Sequence, residues 1–198
     1  ANATAAFGAT AHRLDLITEK PDAPGGAWVE EFGVYHDADT TQAGLGVSGG
    51  GFGVAAGLDL YQNKNTIVGA FAALESVEIE ENGRNASPLN VSHTSIGAYG
   101  GWKGGNLAVN AATSYGFSDF SSDRQINVGG LTDQFKGNWS ATSFSAGARA
   151  TYTVPLGFLD VKPYIAADYM GVSQDGYSET ATTNDNLAIT ASDSEATL

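Results

Sequence analysis

The sequence predicts an all-β fold, an antiparallel transmembrane β-barrel of the outer-membrane type, and three observations predict it. Apolar residues alternate with small or polar ones along many segments, the period of two that belongs to a strand with two unlike faces. The face opposite the apolar one carries Gly, Ser, Asn, Ala and Thr, where a surface meant for bulk water would carry more Lys and Glu. Long and short connections take turns along the chain, as they do when tight turns collect at one end of a barrel and larger loops at the other.

Taken in order, the elements are these. The first twenty residues, ANATAAFGATAHRLDLITEK, are rich in Ala, put Phe7, Leu14 and Ile17 on one helical face and precede Pro21. A helix is expected over 2–20, within an N-terminal segment 1–25, and residues 26–198 are expected to build the barrel. The first strand is AWVEEFGVY, 27–35. In the second, Phe52, Val54, Ala56, Leu58 and Leu60 share one parity, against Gly51, Gly53, Ala55, Gly57 and Asp59 on the other. A G-x-G-x-x-G at Gly44, Gly46 and Gly49 lies just before it, but a dinucleotide-binding loop follows a strand and opens a helix, whereas a strand pattern follows here.

Segments 66–80 and 91–103 read as strands by their β-branched and aromatic content, without a clean parity, so their faces stay unassigned. A fifth strand sets Leu107, Val109, Ala111, Tyr115 and Phe117 against Asn106, Ala108, Asn110, Ser114 and Ser118. A sixth sets Phe144, Ala146, Ala148, Ala150, Tyr152 and Val154 against Ser143, Ser145, Gly147, Arg149 and Thr151. A seventh carries Leu159, Val161, Ile165, Ala167 and Tyr169, and NLAITASDSEATL gives a weaker eighth. The long joins are HDADTTQAGL, ENGRNASPLN, SSDRQINVGGLTDQFK and SQDGYSETATTNDN, and the short ones YQNK, KGGN and PLGF. Trp28, Tyr61, Trp102, Tyr152 and Phe158 gather near the short joins, where an aromatic girdle at the bilayer interface is expected.

Composition narrows the function. The formal charge is −13, from 9 Lys and Arg against 22 Asp and Glu, so nucleic acid would be repelled and is not an expected partner. With no Cys there is neither a disulfide framework nor a thiolate metal site. Glycines or polar residues break every apolar run before it reaches a helical membrane span, which leaves strands as the way to cross. The 26 glycines and only 16% charged residues are unusual for a soluble domain.

WVEEFG at 28–33, GGGFGVAAGLDL, TIVGAFAAL at 66–74, SIGAYGGWKGGNLAVNAATSYGF at 95–117, DRQI at 123–126 and VKPYIAADYMGVSQDGYSE at 161–179 together resemble the translocator β-domain of bacterial autotransporters, the type V secretion systems. The resemblance runs from about Trp28 to Ile189. It implies a twelve-stranded barrel in the outer membrane of a Gram-negative bacterium, with a helix in the lumen joined to an N-terminal passenger that is exported to the cell surface. The segment 2–20 matches that helix. The partners so implied are outer-membrane lipids and lipopolysaccharide, the chain's own passenger domain and the machinery that assembles outer-membrane barrels. Seven to eight strands are expected here, which makes the barrel partial at its C-terminal side. The competing expectation is a small closed eight-stranded barrel whose outer loops, such as 121–136, serve a structural or adhesive role; a soluble β-barrel holding an apolar ligand is a third.

No catalytic, cofactor-binding or metal-binding residue is assigned, and the chain is not expected to be an enzyme. His12, His36 and His93 fall in three separate segments, and no nucleophile context accompanies the His36-Asp37 pair. Glu75, Glu78, Glu80 and Glu81 lack calcium-loop spacing and read as a solvated strand end. Arg149 and Lys162 share the inner parity with Asp59, Asp160 and Asp168, and charge balance in a wet lumen is the expected role.

Overall fold

A computed structural model of the chain describes residues 26–39, 46–81, 88–128, 131–181 and 189–197. The expected helix 2–20, with His12, lies outside these residues, as does most of the first long join. The described strands are β1 (Ala27–Ala38), β2 (Val47–Gln62), β3 (Thr66–Glu81), β4 (Leu89–Gly104), β5 (Leu107–Val128), β6 (Leu131–Tyr152), β7 (Val154–Pro155), β8 (Asp160–Val161), β9 (Tyr164–Gln174), β10 (Tyr177–Ser178), β11 (Thr180–Ala181), β12 (Thr190–Ala191) and β13 (Ser194–Thr197). One antiparallel sheet runs β1-β2-β3-β4-β5-β6-β9-β13, each strand beside its chain neighbour apart from the short pieces between. Consecutive antiparallel strands need no crossover, so short turns suffice at one end.

Those turns are set by local chemistry. Asn63 Oδ1 accepts from the backbone N–H of Asn65 at 2.8 Å and of Thr66 at 2.7 Å, which closes the β2–β3 turn. Gly105, at φ +59°, and Gly157, at φ +89°, take the left-handed backbone in the next two short joins. Tight turns fix register, and register fixes which face each residue occupies.

The sheet curls. Trp28 on β1 and Tyr99 on β4 are three strands apart, about 14 Å across a flat sheet, yet Trp28 Nε1 donates to Tyr99 Oη at 2.7 Å. Their rings meet edge to face at 5.9 Å. One face is therefore concave, and the pairing shows who lines it: Ala55, Gly57, Phe71, Ala73, Gly97, Tyr99, Ser114, Ser145, Arg149 and Asp168 all share it. The convex face carries Val29, Phe52, Leu74, Ile96 and Ile165, each more than half exposed. The assignment read from β2, β5, β6 and β9 thus holds, with the apolar parity outward.

Curling crowds the concave side, and the glycines relieve it. A Cβ on Gly57 would strike the Trp28 ring, on Gly53 the Phe32 ring, on Gly69 the Tyr99 ring and on Gly97 the Phe71 ring. In each case the ring belongs to the register partner of the glycine on the next strand. Each aromatic ring lies flat over a gap that its neighbour leaves, so close packing and tight curvature coexist. This is the use of the alternating glycines in 51–57.

Three expectations change. Trp28 is not in the girdle: it points into the concave face, while Trp102 and Tyr152 are exposed on the convex side and Tyr61 and Phe158 are exposed beside the short joins. The join SSDRQINVGGLTDQFK is not a loop, because β5 and β6 stay paired from Leu107↔Tyr152 to Val128↔Leu131. Its polar residues pair rung by rung above the level where lipid would impose an apolar parity, so no alternation announces the strand. Segments 66–80 and 91–103 showed no parity because both their faces bear apolar side chains, Ile67, Phe71, Val77, Val91 and Tyr99 inside and Val68, Leu74 and Ile96 outside.

Gly69→Val is expected to destabilise the folded barrel by about 1–3 kcal/mol through overpacking against Tyr99. Gly33→Ala, where an added Cβ meets nothing within 4 Å, should be neutral. Urea unfolding midpoints of the two variants in detergent micelles, read by tryptophan fluorescence, check the contrast.

Candidate functional site

Among the described residues, buried polar side chains from several strands assemble on the concave face, and they form layers between its two ends. Nearest the short turns, Lys103, Asn110, Arg149, Asp160, Lys162 and Tyr164 line a cavity of about 520 Å³. The Arg149 guanidinium stands 5.9 Å from the centre of the Tyr164 ring, a cation–π approach. Of its expected carboxylates, Asp160 shares this cavity. Asp59 is engaged elsewhere, accepting from Tyr99 Oη at 2.5 Å and from the backbone N–H of Gly26 at 3.0 Å.

Above the cavity lies an apolar layer of Ala55, Ile67, Phe71, Ala73, Tyr99 and Ala112, with Trp28 and Phe32 packed on it. Through this layer runs a hydrogen-bond chain in which Trp28 donates to Tyr99 and Tyr99 to Asp59. It joins β1, β2 and β4, so one phenol ties the first strand to the fourth and holds the curl.

Next comes a polar band. Glu75 and His93 are register partners on β3 and β4, 6% and 3% exposed, and Ser95 is 1% exposed. His93 Nδ1 is 2.8 Å from Ser118 Oγ, and the Ser114 and Ser145 hydroxyls are 2.7 Å apart. Both Glu75 carboxylate oxygens, His93 Nε2 and Ser95 Oγ are buried without a hydrogen-bond partner among the described residues. Glu75 is therefore not part of a solvated strand end, whereas Glu78 and Glu80 face outward and are exposed. The reason is parity, since odd positions of β3 turn inward.

At the far end the rings of Phe120 and Trp139 stack at 5.3 Å, and Trp139 stacks on Tyr177 at 4.3 Å. The segment after β9 is held there in three ways. β11 pairs with Phe135 and Lys136 of β6. Glu179 binds Arg124 through both carboxylate oxygens, the Nε contact being 3.2 Å, and accepts from the backbone N–H of Ile189 at 2.9 Å. Arg124 also lies 4.9 Å over the ring of Phe135, which is fully buried. Burial pushes the Glu179 carboxyl up, but the Arg124 and Ile189 hydrogen bonds and the Arg124 charge outweigh it and hold it below 4.5.

Sequence reading placed Arg149 and Lys162 correctly on the inner parity but missed Trp28, Tyr99 and Asp59 as one unit. The available signal was a large aromatic opposite a glycine, which becomes visible only once the register of β3 and β4 is known. Glu179 carried no sequence signal, because its partner Arg124 is 55 residues away.

An all-β sheet with an apolar convex face and a polar concave face is the wall of an outer-membrane barrel, since the bilayer takes the place of the core. The Autotransporter beta-domain family model matches residues 27–198, and the chain belongs to that family. The fold agrees with a solved structure, the translocator domain of the autotransporter NalP from Neisseria meningitidis, at a TM-score of 0.69 and 20% sequence identity. That match covers 100% of this chain and 68% of the other. No curated protein matches significantly. The family domain is an outer-membrane transport module of Gram-negative bacteria and not a catalytic one.

Tyr99→Phe is expected to cost about 1–3 kcal/mol, because it takes the acceptor from the Trp28 N–H and one donor from the Asp59 carboxylate; the thermal midpoint in detergent measures it. A carboxyl whose folded pKa lies below its unfolded one stabilises above the unfolded value and loses that contribution as pH falls through the folded value. Packing of the Tyr177–Ala181 segment should thus be constant near neutrality and weaken once pH falls below about 4.5, with Glu179→Gln removing the dependence. Protease protection of this segment across that range is the measure.

Proposed function

We propose that the chain anchors an N-terminal passenger in the outer membrane and exports it through the lumen bounded by the concave face. The observation that carries this reading is the pair of unlike faces. The exposed convex residues suit acyl chains, while beyond its one apolar layer the concave face offers small and hydroxylated side chains such as Ser95, Ser114 and Ser145, along which a polypeptide can pass close to the wall. Outer-membrane lipids, lipopolysaccharide around the long-loop end, the assembly machinery and the passenger are its proposed partners. Membership of the autotransporter β-domain family supports the same direction of transport.

A closed eight-stranded barrel with adhesive loops is less well supported. In the described sheet β1 and β13 occupy the two ends of the strand path and do not pair with each other. The paired β5–β6 extension, bonded by Gln134 Nε2 to both Asp123 oxygens at 2.7 Å, could serve adhesion in either architecture and does not decide between them.

The test fuses a small epitope-tagged reporter upstream of residue 1 in its natural gene and expresses it in a Gram-negative host. External protease should remove the tag from intact cells. A tag that stays protected in cells, while the barrel itself is found folded in the outer membrane, would contradict export.

A further inference from the structure

On the convex face the large apolar side chains leave one area bare. Gly100, Ala111, Ala148 and Ala167 are successive register partners across β4, β5, β6 and β9, so they form one outward row three strand spacings long, about 14 Å. Ala98, Thr113 and Ala146 form the next outward row, which Tyr169 closes on β9. The two rows floor a groove of about 650 Å³. Its wall toward the long joins is Ile96, Tyr115 and Phe144, all bulky and exposed. Tyr115 meets Phe117 edge to face at 5.2 Å, and Phe144 lies 6.2 Å from Tyr169, so ring packing holds this wall up. The wall toward the short turns is Trp102, Val109 and Ile165, and it is broken at Ala150, which stands between the last two.

We propose that this groove seats an acyl chain of a phospholipid from the leaflet on the short-turn side, and holds it longer than the lipid around it. The seat rests on the convex face meeting lipid, as read above, and involves no export step. Continuity selects the occupant, because the groove interrupts a face whose neighbouring side chains meet hydrocarbon. Chemistry agrees with it. Thr113 brings a hydroxyl to the floor, but that hydroxyl already donates to the Ser145 carbonyl at 3.0 Å, and Asp168 at the edge of the lining turns its side chain to the concave face. A chain lying on the flat face touches protein along one side, whereas in the groove it touches the floor and both walls and gains dispersion contacts that a void would forfeit. Level and shape select the leaflet. Ala111 and Ala148 lie four residues beyond the Leu107–Tyr152 rung, about 13 Å along the tilted strands and about 10 Å up the barrel axis, inside the nearer half of an apolar band about 25 Å tall. The break at Ala150 opens toward the short turns, while the opposite wall is continuous from Ile96 to Phe144.

The purified full chain is folded into vesicles of phosphatidylethanolamine and phosphatidylglycerol, extracted in a mild nonionic detergent and weighed by native mass spectrometry. It should keep a phospholipid through washes that strip the rest. Filling the floor with Ala111→Leu and Ala148→Leu together should abolish that retention, and Ala148→Leu alone should reduce it. Ala56→Leu, outward on β2 and away from the groove, should leave it unchanged. Leucine suits a lipid-facing site, and heat-modifiable gel mobility shows that each variant is folded. A second preparation adds lipid A as competitor. No retained phospholipid, equal retention in a folded filled variant, or replacement by lipid A would each overturn the proposal. Oxygen contact of a nitroxide at position 109 reads the lipid-facing orientation separately, so an outward-facing wall that keeps no phospholipid overturns the seat alone. Loss of the seat in a chain that exports its tag likewise leaves the export reading standing, and retention by a chain that exports no tag counts against export alone.

Discussion

Within hydrocarbon a backbone N–H or C=O has no water to bond, so every such group in a membrane strand must find its partner inside the sheet. The unbroken antiparallel registers from β1 to β9 meet that demand rung by rung, with one irregularity between Asp59 and Tyr61 near a short turn. A sheet that avoids edges must curl toward closure, and curl sets the terms for everything on its concave side. Side chains there converge as they leave the backbone. The glycines opposite Trp28, Phe32, Phe71 and Tyr99 are the response, since each gives a ring the volume that its own side chain would have filled.

The same geometry explains how polar and apolar layers share the concave face. Large rings stand where glycine makes space, and they carry the Trp28-Tyr99-Asp59 chain that links strands otherwise too far apart to touch. Where no ring stands, small hydroxyls and the Glu75 and His93 pair fill the face, and cations collect at the short-turn end. At the opposite end, aromatic stacking and the Arg124–Glu179 pair fasten the segment after β9 onto the β5–β6 extension. Glu179 is almost fully buried there, so loss of Arg124 alone would leave a costly unpaired carboxylate. Order at that end depends on a few side chains rather than on lipid.

Much of this was legible in the sequence, for a physical reason. Lipid contact imposes an apolar parity, and strands such as β2, β5 and β6 display it openly: Val54, Val109 and Ala148 outward, Gly53, Asn110 and Gly147 inward. The signal failed wherever a second demand overlaid the first. In β3 and β4 the inner face has its own apolar layer, so Phe71 and Leu74 look alike in sequence though they face opposite ways. In the β5–β6 extension lipid imposes no parity, and the long polar segment gave no period, although Gly129-Gly130 between the paired ends was a hairpin signal to be read. The concave-face contacts were hidden for a third reason, that they join residues up to 71 positions apart whose meeting depends on register and curl together.

An aqueous lumen requires that the ribbon turn its apolar parity to lipid, and the absence of cysteine makes that orientation directly measurable with single introduced thiols. Nitroxide labels at Ala108→Cys and Val109→Cys in the reconstituted chain compare neighbouring positions on opposite faces of β5. The prediction is that the label at 109 is relaxed by dissolved oxygen, as acyl chains require, and the label at 108 by a water-soluble nickel chelate. The reverse pattern would mean that the sheet encloses a greasy interior and that the proposed aqueous lumen does not exist.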